Sequence, residues 1–284
     1  MKNRKVPIFL IILIIIAVLA IIFSLWKIYK PSTTVNNNIE PNSTSTTATT
    51  TGTFEEKTFS DKNDFYEISA KYPSDPLDKN NDVETFVLSK IKEKQNEWKV
   101  GGDVYDGEKE TEEKFPDRPK MVYTYDISYE KYESQDKGTV SYVLKIYEFT
   151  GGAHGITVVQ TFTFDNNGLV DIQDVLNLAA NNNAINLSRV LATSLEKNDS
   201  DVITEDMMME GLGLAYLKAD GKTFDKVKCA CDGFNFASNF QNFYITNAGI
   251  TFLFSQYQVA PGAAGIVATT LDWNTLKPYL IKYQ

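Results

Sequence analysis

The chain has 284 residues, enough for one or two domains, with 43% hydrophobic and 23% charged residues, ordinary proportions for a globular protein. Met1–Lys30 holds five of the 28 bases and none of the 37 acids, which leaves 23 bases against 37 acids, a net charge near −14, beyond it. So acidic a body repels phosphate backbones, which excludes nucleic acid as a partner, and attracts cationic ones; solubility is the plainer consequence.

The first element is apolar. Ile8–Leu25 contains only Ile, Leu, Val, Ala, Phe and Ser24. With its flanks it makes about twenty helical residues, roughly 30 Å, the thickness of a bilayer core. Trp26 and Tyr29 fall where an interfacial aromatic belt is expected. The competing reading is a cleaved signal peptide. Against it, the run exceeds a usual h-region, and Ser24-Leu25-Trp26 is a poor cleavage site. No cysteine follows to carry a lipid. The expectation is a transmembrane anchor over 8–29 behind a short cytoplasmic tail over 1–7. Lys2, Arg4 and Lys5 favour a cytoplasmic N-terminus and an extracytoplasmic C-terminal body at the cell membrane.

Residues 30–53 are rich in Ser, Thr and Asn and bury too little apolar surface to offset chain entropy, so they read as a disordered linker. The globular body follows over 54–284, with a division expected between 54–120 and 121–284. Phe65–Tyr72 alternates as a strand. Asp82–Trp98 has helical spacing. Gly101–Lys120 is charged and rich in Gly and Pro, and reads as a loop. Val122–Tyr132 and Thr139–Phe149 form a hairpin, and Ile156–Phe164 is a further strand ending in an Asp-Asn-Asn-Gly turn. Asp171–Leu176, Ala184–Leu195 and Thr204–Leu217 read as helical. Asn242–Thr246 and Ile250–Phe254 form a second hairpin, Ile266–Leu271 a last strand, and Trp273–Leu280 a terminal helix or turn. Hairpin-linked strands with helices between the clusters predict an α+β fold with a mainly antiparallel sheet and packed helices.

Few residues point to chemistry. His154 is the sole histidine, in Thr150-Gly151-Gly152-Ala153-His154-Gly155. One histidine cannot build a His-rich zinc site, and no Gly-x-Ser-x-Gly elbow occurs. Gly151 and Gly152 allow positive φ, so this segment is either a strained strand connection or a ligand-binding loop with His154 at its tip. Cys229-Ala230-Cys231 is the one cysteine pair; a local disulfide staple, free thiols and a redox pair remain open. Acids are too many to single out a glycosidase pair. No catalytic residue, metal or cofactor is assigned.

Two stretches carry a resemblance. The first is Tyr147–Gly155, with the strand to Asp165 and Gly168–Val175. The second is Asn242–Thr246, Gly249–Phe252 and Tyr257-Gln258-Val259-Ala260-Pro261-Gly262-Ala263-Ala264-Gly265. Together they resemble the extracytoplasmic domain family of the anti-sigma factor RsiV and the peptidoglycan deacetylase PdaC. Phe65–Trp98 resembles the subdomain that precedes it there. Gln258 stands where an acid is expected, and Met207–Cys231 has no counterpart. The resemblance implies an extracytoplasmic α+β unit that binds a cell-envelope ligand or a secreted protein; Gly151, Gly152, His154, Tyr257 and Pro261, within the two blocks, are the candidate ligand-binding residues. In RsiV this domain receives lysozyme; in PdaC it accompanies a separate catalytic domain. The expected tail over 1–7 is too short for a sigma-binding domain, and no separate deacetylase domain is expected in the sequence, so neither parent function is expected to transfer whole. The function expected is therefore a membrane-anchored binding or sensory module for cell-wall glycan or a cationic secreted protein such as lysozyme. The alternative is an envelope hydrolase with a site near His154.

Overall fold

A computed structural model describes residues 53–117, 121–198, 202–229 and 234–283. The expected tail over 1–7, the anchor over 8–29 and all but the last residue of the linker over 30–53 lie outside them. Among the described residues no helix is long and apolar enough to cross a membrane. The body is α+β and mainly antiparallel, as the strand order predicts.

The first sheet has the order β1-β2-β3-β4-β5-β6: β1 Glu55–Lys62, β2 Tyr66–Ser74, β3 Tyr123–Ser134, β4 Thr139–Phe149, β5 Ile156–Asp165 and β6 Gly168–Leu169. Neighbours are antiparallel except β2 and β3, which run parallel. The parallel pair needs a crossover. Helices α1 (Asp82–Trp98) and α2 (Asp103–Lys114) supply it. Helix α1 lays Val83, Val87, Ile91 and Trp98 on one face of the sheet, against Ile68, Ile127, Tyr142 and Leu144. Asp78 starts it, accepting from the Asp82 and Val83 N–H groups at 2.7 and 2.9 Å.

The second sheet, β7 Phe243–Ile245, β8 Gly249–Phe254 and β9 Val267–Asp272, is antiparallel throughout. A separate core joins it to α3 (Ile172–Val175), α4 (Asn183–Asn198), α5 (Glu205–Gly211) and α6 (Trp273–Leu276). The two sheets meet through polar groups. On the face of the first sheet away from α1, Thr161 Oγ1 accepts from Phe243 N at 2.9 Å and Ser141 Oγ from Ile245 N at 3.3 Å. These hydroxyls satisfy the outer edge of β7, and Val143, Val159 and Leu253 fill the gap beside them.

Three expectations change. The loop expected over Gly101–Lys120 contains α2. That helix buries no residue, so it lacks an apolar stripe; Asp103 and Asp106 in its first turn and the Lys109–Glu112 and Lys114–Glu110 pairs support it instead. Strand β1 was not expected, because Glu55–Lys62 is polar and only Phe59 is apolar and packed inward. The helix expected over Thr204–Leu217 breaks into α5 and a 3-10 turn at Leu214–Tyr216. Gly213 lies between them at φ 73°, where a Cβ would come 2.3 Å from the Phe234 ring.

Candidate functional site

Strand β5 ends the first sheet along most of its length, so half its N–H groups face away from β4. Side chains of the second half of the chain take them. Gln256 Oε1 accepts from Thr157 N at 2.8 Å, Ser255 Oγ from Val159 N at 3.1 Å and Asn242 Oδ1 from Thr161 N at 3.2 Å. This side-chain ladder brings the β8–β9 loop beside the β4–β5 loop.

The two loops meet at His154 and Tyr257. Gly151 and Gly152, at φ 99° and 100°, turn the chain after β4. His154 Nδ1 lies 3.0 Å from the Gly155 carbonyl, which can only accept, so Nδ1 carries the proton. Nε2, 3.1 Å from Tyr257 Oη, then accepts from the phenol in the neutral ring. The rings lie 6.2 Å apart and nearly parallel. Tyr257 has φ 70°, a left-handed conformation costly for a side chain of this size. Gly262 makes the room: a Cβ there would lie 2.1 Å from the Tyr257 ring. Gln256 Nε2 donates to the Gly262 carbonyl at 2.7 Å and fixes the same turn. Pro261 starts that turn, its carbonyl accepting from Ala264 N at 2.9 Å. Gln258 Oε1 accepts from Ser255 N at 3.1 Å, so the amide found where an acid was expected closes the loop.

Beside this junction lies a cleft of about 460 Å³ between α1 and the ends of β4 and β5. Register places Tyr125, Ile146, Glu148, Ile156 and Val158 on one sheet face. Ile156 and Val158 are 50% and 40% exposed there, which makes the floor apolar and open. Helix α1 contributes the charged wall. Lys94 Nζ reaches Glu148 at 2.8 Å and Glu97 at 2.9 Å, and stands 5.7 Å from the Tyr125 ring centre. Burial pushes the Lys94 ammonium down, and the two carboxylates more than reverse this, holding it above its usual value. Lys90 holds the Glu93 carboxyl below its usual range from 2.8 Å. Burial, then the charges of Glu148, Glu93 and Glu97, pushes the Tyr125 phenol up.

The structure thus brings Gly151 and His154 to the cleft and Tyr257 against His154, with Gly152 in the adjoining turn and Pro261 in the turn behind Tyr257. Cys229 is buried elsewhere, beyond the 3-10 turn at Leu214–Tyr216, and Cys231 lies outside the described residues. Lys94, Tyr125, Ile156 and Val158 were not singled out from sequence. Lys94 reads as one more solvated helix position, and Ile156 and Val158 share the apolar face of β5 with the core residues Phe162 and Phe164, so its period does not tell floor from core. Glu148 had a signal, standing inside the Tyr147–Gly155 block. No group of three His, Cys, Asp or Glu side chains suited to a metal occurs among the described residues. The arrangement can offer an apolar floor, ion-paired walls and a hydrogen-bonding rim.

Residues 59–157 match the family model described as "Deacetylase PdaC", and residues 177–274 match "Protein of unknown function (DUF3298)". The resemblance read from Tyr147–Gly155 and Tyr257–Gly265 holds, with one block in each matched segment; the His154–Tyr257 bond joins the two. Among solved structures the chain is similar to a DUF3298 family member from Bacteroides fragilis NCTC 9343, with 18% identity over 80% of this chain and 93% of that one and a TM-score of 0.52. It is also similar to a DUF3298 family protein from Pseudomonas aeruginosa PAO1, with 15% identity over 81% and 94% and a TM-score of 0.48. The first likeness shows a shared fold. No curated protein matches the chain.

Proposed function

We propose that this chain, a PdaC-like segment followed by a DUF3298 segment, is a membrane-anchored binding module whose cleft beside His154 takes a ligand of the cell envelope. One observation carries the reading: the charged groups of the cleft are ion-paired while its apolar floor is left open. Both nitrogens of His154 are hydrogen-bonded, and Lys94, Glu148, Lys90 and Glu93 are ion-paired. Groups held this way are fixed in place to orient a ligand. Ile156 and Val158 offer the dry contact from which binding energy comes. The anchor is proposed on the apolar run Ile8–Leu25, and the basic residues before it favour a body outside the cytoplasm.

The ligand class follows from charge and setting. A body with 23 bases against 37 acids favours a cationic secreted protein such as lysozyme, and the open apolar floor equally suits cell-wall glycan. The full chain in detergent, immobilised and offered lysozyme and peptidoglycan fragments at two salt concentrations, is expected to capture one of them. Salt-sensitive capture identifies the cationic protein, salt-insensitive capture the glycan. Capture of neither counts against the proposal. The second reading, an envelope hydrolase, draws on the word deacetylase in the description of the model matching 59–157, a span that includes Glu148 and His154. It requires an activity that His154→Ala abolishes.

A further inference from the structure

Strand β1, eight residues over Glu55–Lys62, has no neighbouring strand on its outer edge among the described residues. Charged residues on such an edge, lysine above all, usually prevent another strand from adding to it. Here the order of the charges does something more specific. Lys57, Phe59 and Asp61 face the α1 side, where Lys57 meets Glu84 at 2.6 Å and Asp61 meets Gln95 at 2.6 Å. Glu56, Thr58, Ser60 and Lys62 face the other side, where Glu56 meets Lys71 at 3.0 Å and Lys62 meets Glu67 at 2.7 Å.

Facing residues in an antiparallel pair both turn their backbone groups toward the partner or both turn them away. A strand pairing with its own copy is therefore limited to registers in which a residue faces itself at the centre. Centred on Lys57, the register sets lysine against lysine. Centred on Thr58 it sets Glu55 against Asp61, and centred on Asp61 it sets acid against acid. Centred on Ser60 it places Phe59 opposite Asp61 and pairs no opposite charges. Centred on Phe59, Glu56 faces Lys62 and Lys57 faces Asp61, each twice by symmetry, with Thr58 opposite Ser60 and the two Phe59 rings at the axis.

We infer that β1 is a self-complementary edge through which two copies of this chain pair antiparallel in the register centred on Phe59. The pairing joins two six-stranded sheets into one and is isologous, so it closes at two copies. The ion pairs within each copy extend across the seam: Lys71, Glu56, then Lys62 and Glu67 of the second copy run in alternating sign. Opposite charges facing across strands stabilise, and like charges destabilise, a sheet pair.

Sedimentation of the full chain in detergent tests this. The wild type is expected to dimerise. Lys62→Glu, which faces Glu56 with a like charge twice per dimer, is expected to weaken the dimer about tenfold or more. Glu56→Lys alone should do the same, and the double variant Glu56→Lys/Lys62→Glu should restore it. Copies carrying Thr58→Cys, mixed with copies carrying Ser60→Cys, should cross-link on oxidation; both positions are exposed, so folding is not at stake. A monomeric wild type, a dimer indifferent to Lys62→Glu, or absence of the cross-link between the Thr58→Cys and Ser60→Cys copies overturns the inference.

Discussion

Gly262 shows how much one missing side chain can position. Its open space admits the Tyr257 ring, and the ring in turn meets His154. Gly262→Ala is expected to displace Tyr257 and cost about 1–3 kcal/mol, read as a lower denaturation midpoint together with loss of the His154–Tyr257 contact in NMR spectra. Tyr257→Phe removes only the hydroxyl and should lose the contact while keeping most of the stability. Asp165 makes a different kind of prediction. Burial pushes its carboxyl up, but Lys282 at 2.5 Å, the Asn167 N–H and Tyr283 outweigh this and hold it below its usual 3.8. A depressed carboxyl contributes stability that is fully present above the unfolded value and is lost as pH falls through the folded one. Asp165→Asn should therefore be less stable than wild type near pH 7, by about 1–3 kcal/mol, with the gap narrowing as pH drops below 3.8. Equal stabilities at pH 7 would contradict that role. Sequence made His154 and its glycines visible because each is rare or conformationally distinctive. It could not make Lys94 visible, because a lysine acquires its part from the sheet residues across from it.

At the scale of elements, the strands and helices with a clear apolar period were legible. Helix α1 spans Asp82–Trp98 in both the sequence reading and the structure, and β4 spans Thr139–Phe149 in both. Illegible elements lacked such a period. Helix α2 is sustained by its polar first turn and ion pairs, and β1 by its ladder to β2. The seam along β5 was hidden for another reason: its N–H groups are satisfied by amide and hydroxyl side chains from residues 80 to 100 positions away, which no local pattern encodes. That seam is testable. Gln256→Ala leaves the Thr157 N–H without its acceptor and releases the Gly262 carbonyl, at a cost of about 1–2 kcal/mol. Hydrogen exchange at Thr157 should accelerate while exchange within α1 should not. Unchanged exchange at Thr157 would mean that the loop does not depend on this amide.

The whole molecule combines a long apolar run, a Ser/Thr/Asn-rich segment and an acidic α+β body whose two matched segments are joined by the His154–Tyr257 bond beside one cleft. The order of these parts was legible because composition changes sharply at each boundary. The cleft was not, because its floor comes from β3, β4 and β5 and its charged wall from α1, parts that only the folded sheet brings together. Val158, 40% exposed on the open floor, probes the proposed binding role of this cleft with little disturbance to the fold. The decisive measurement is a calorimetric titration of the full chain and its Val158→Asp variant with lysozyme and with peptidoglycan fragments. Wild type is expected to bind one of the two, and the charge on the floor to weaken that binding at least about tenfold. Equal binding by the variant, or none by either protein, would contradict it.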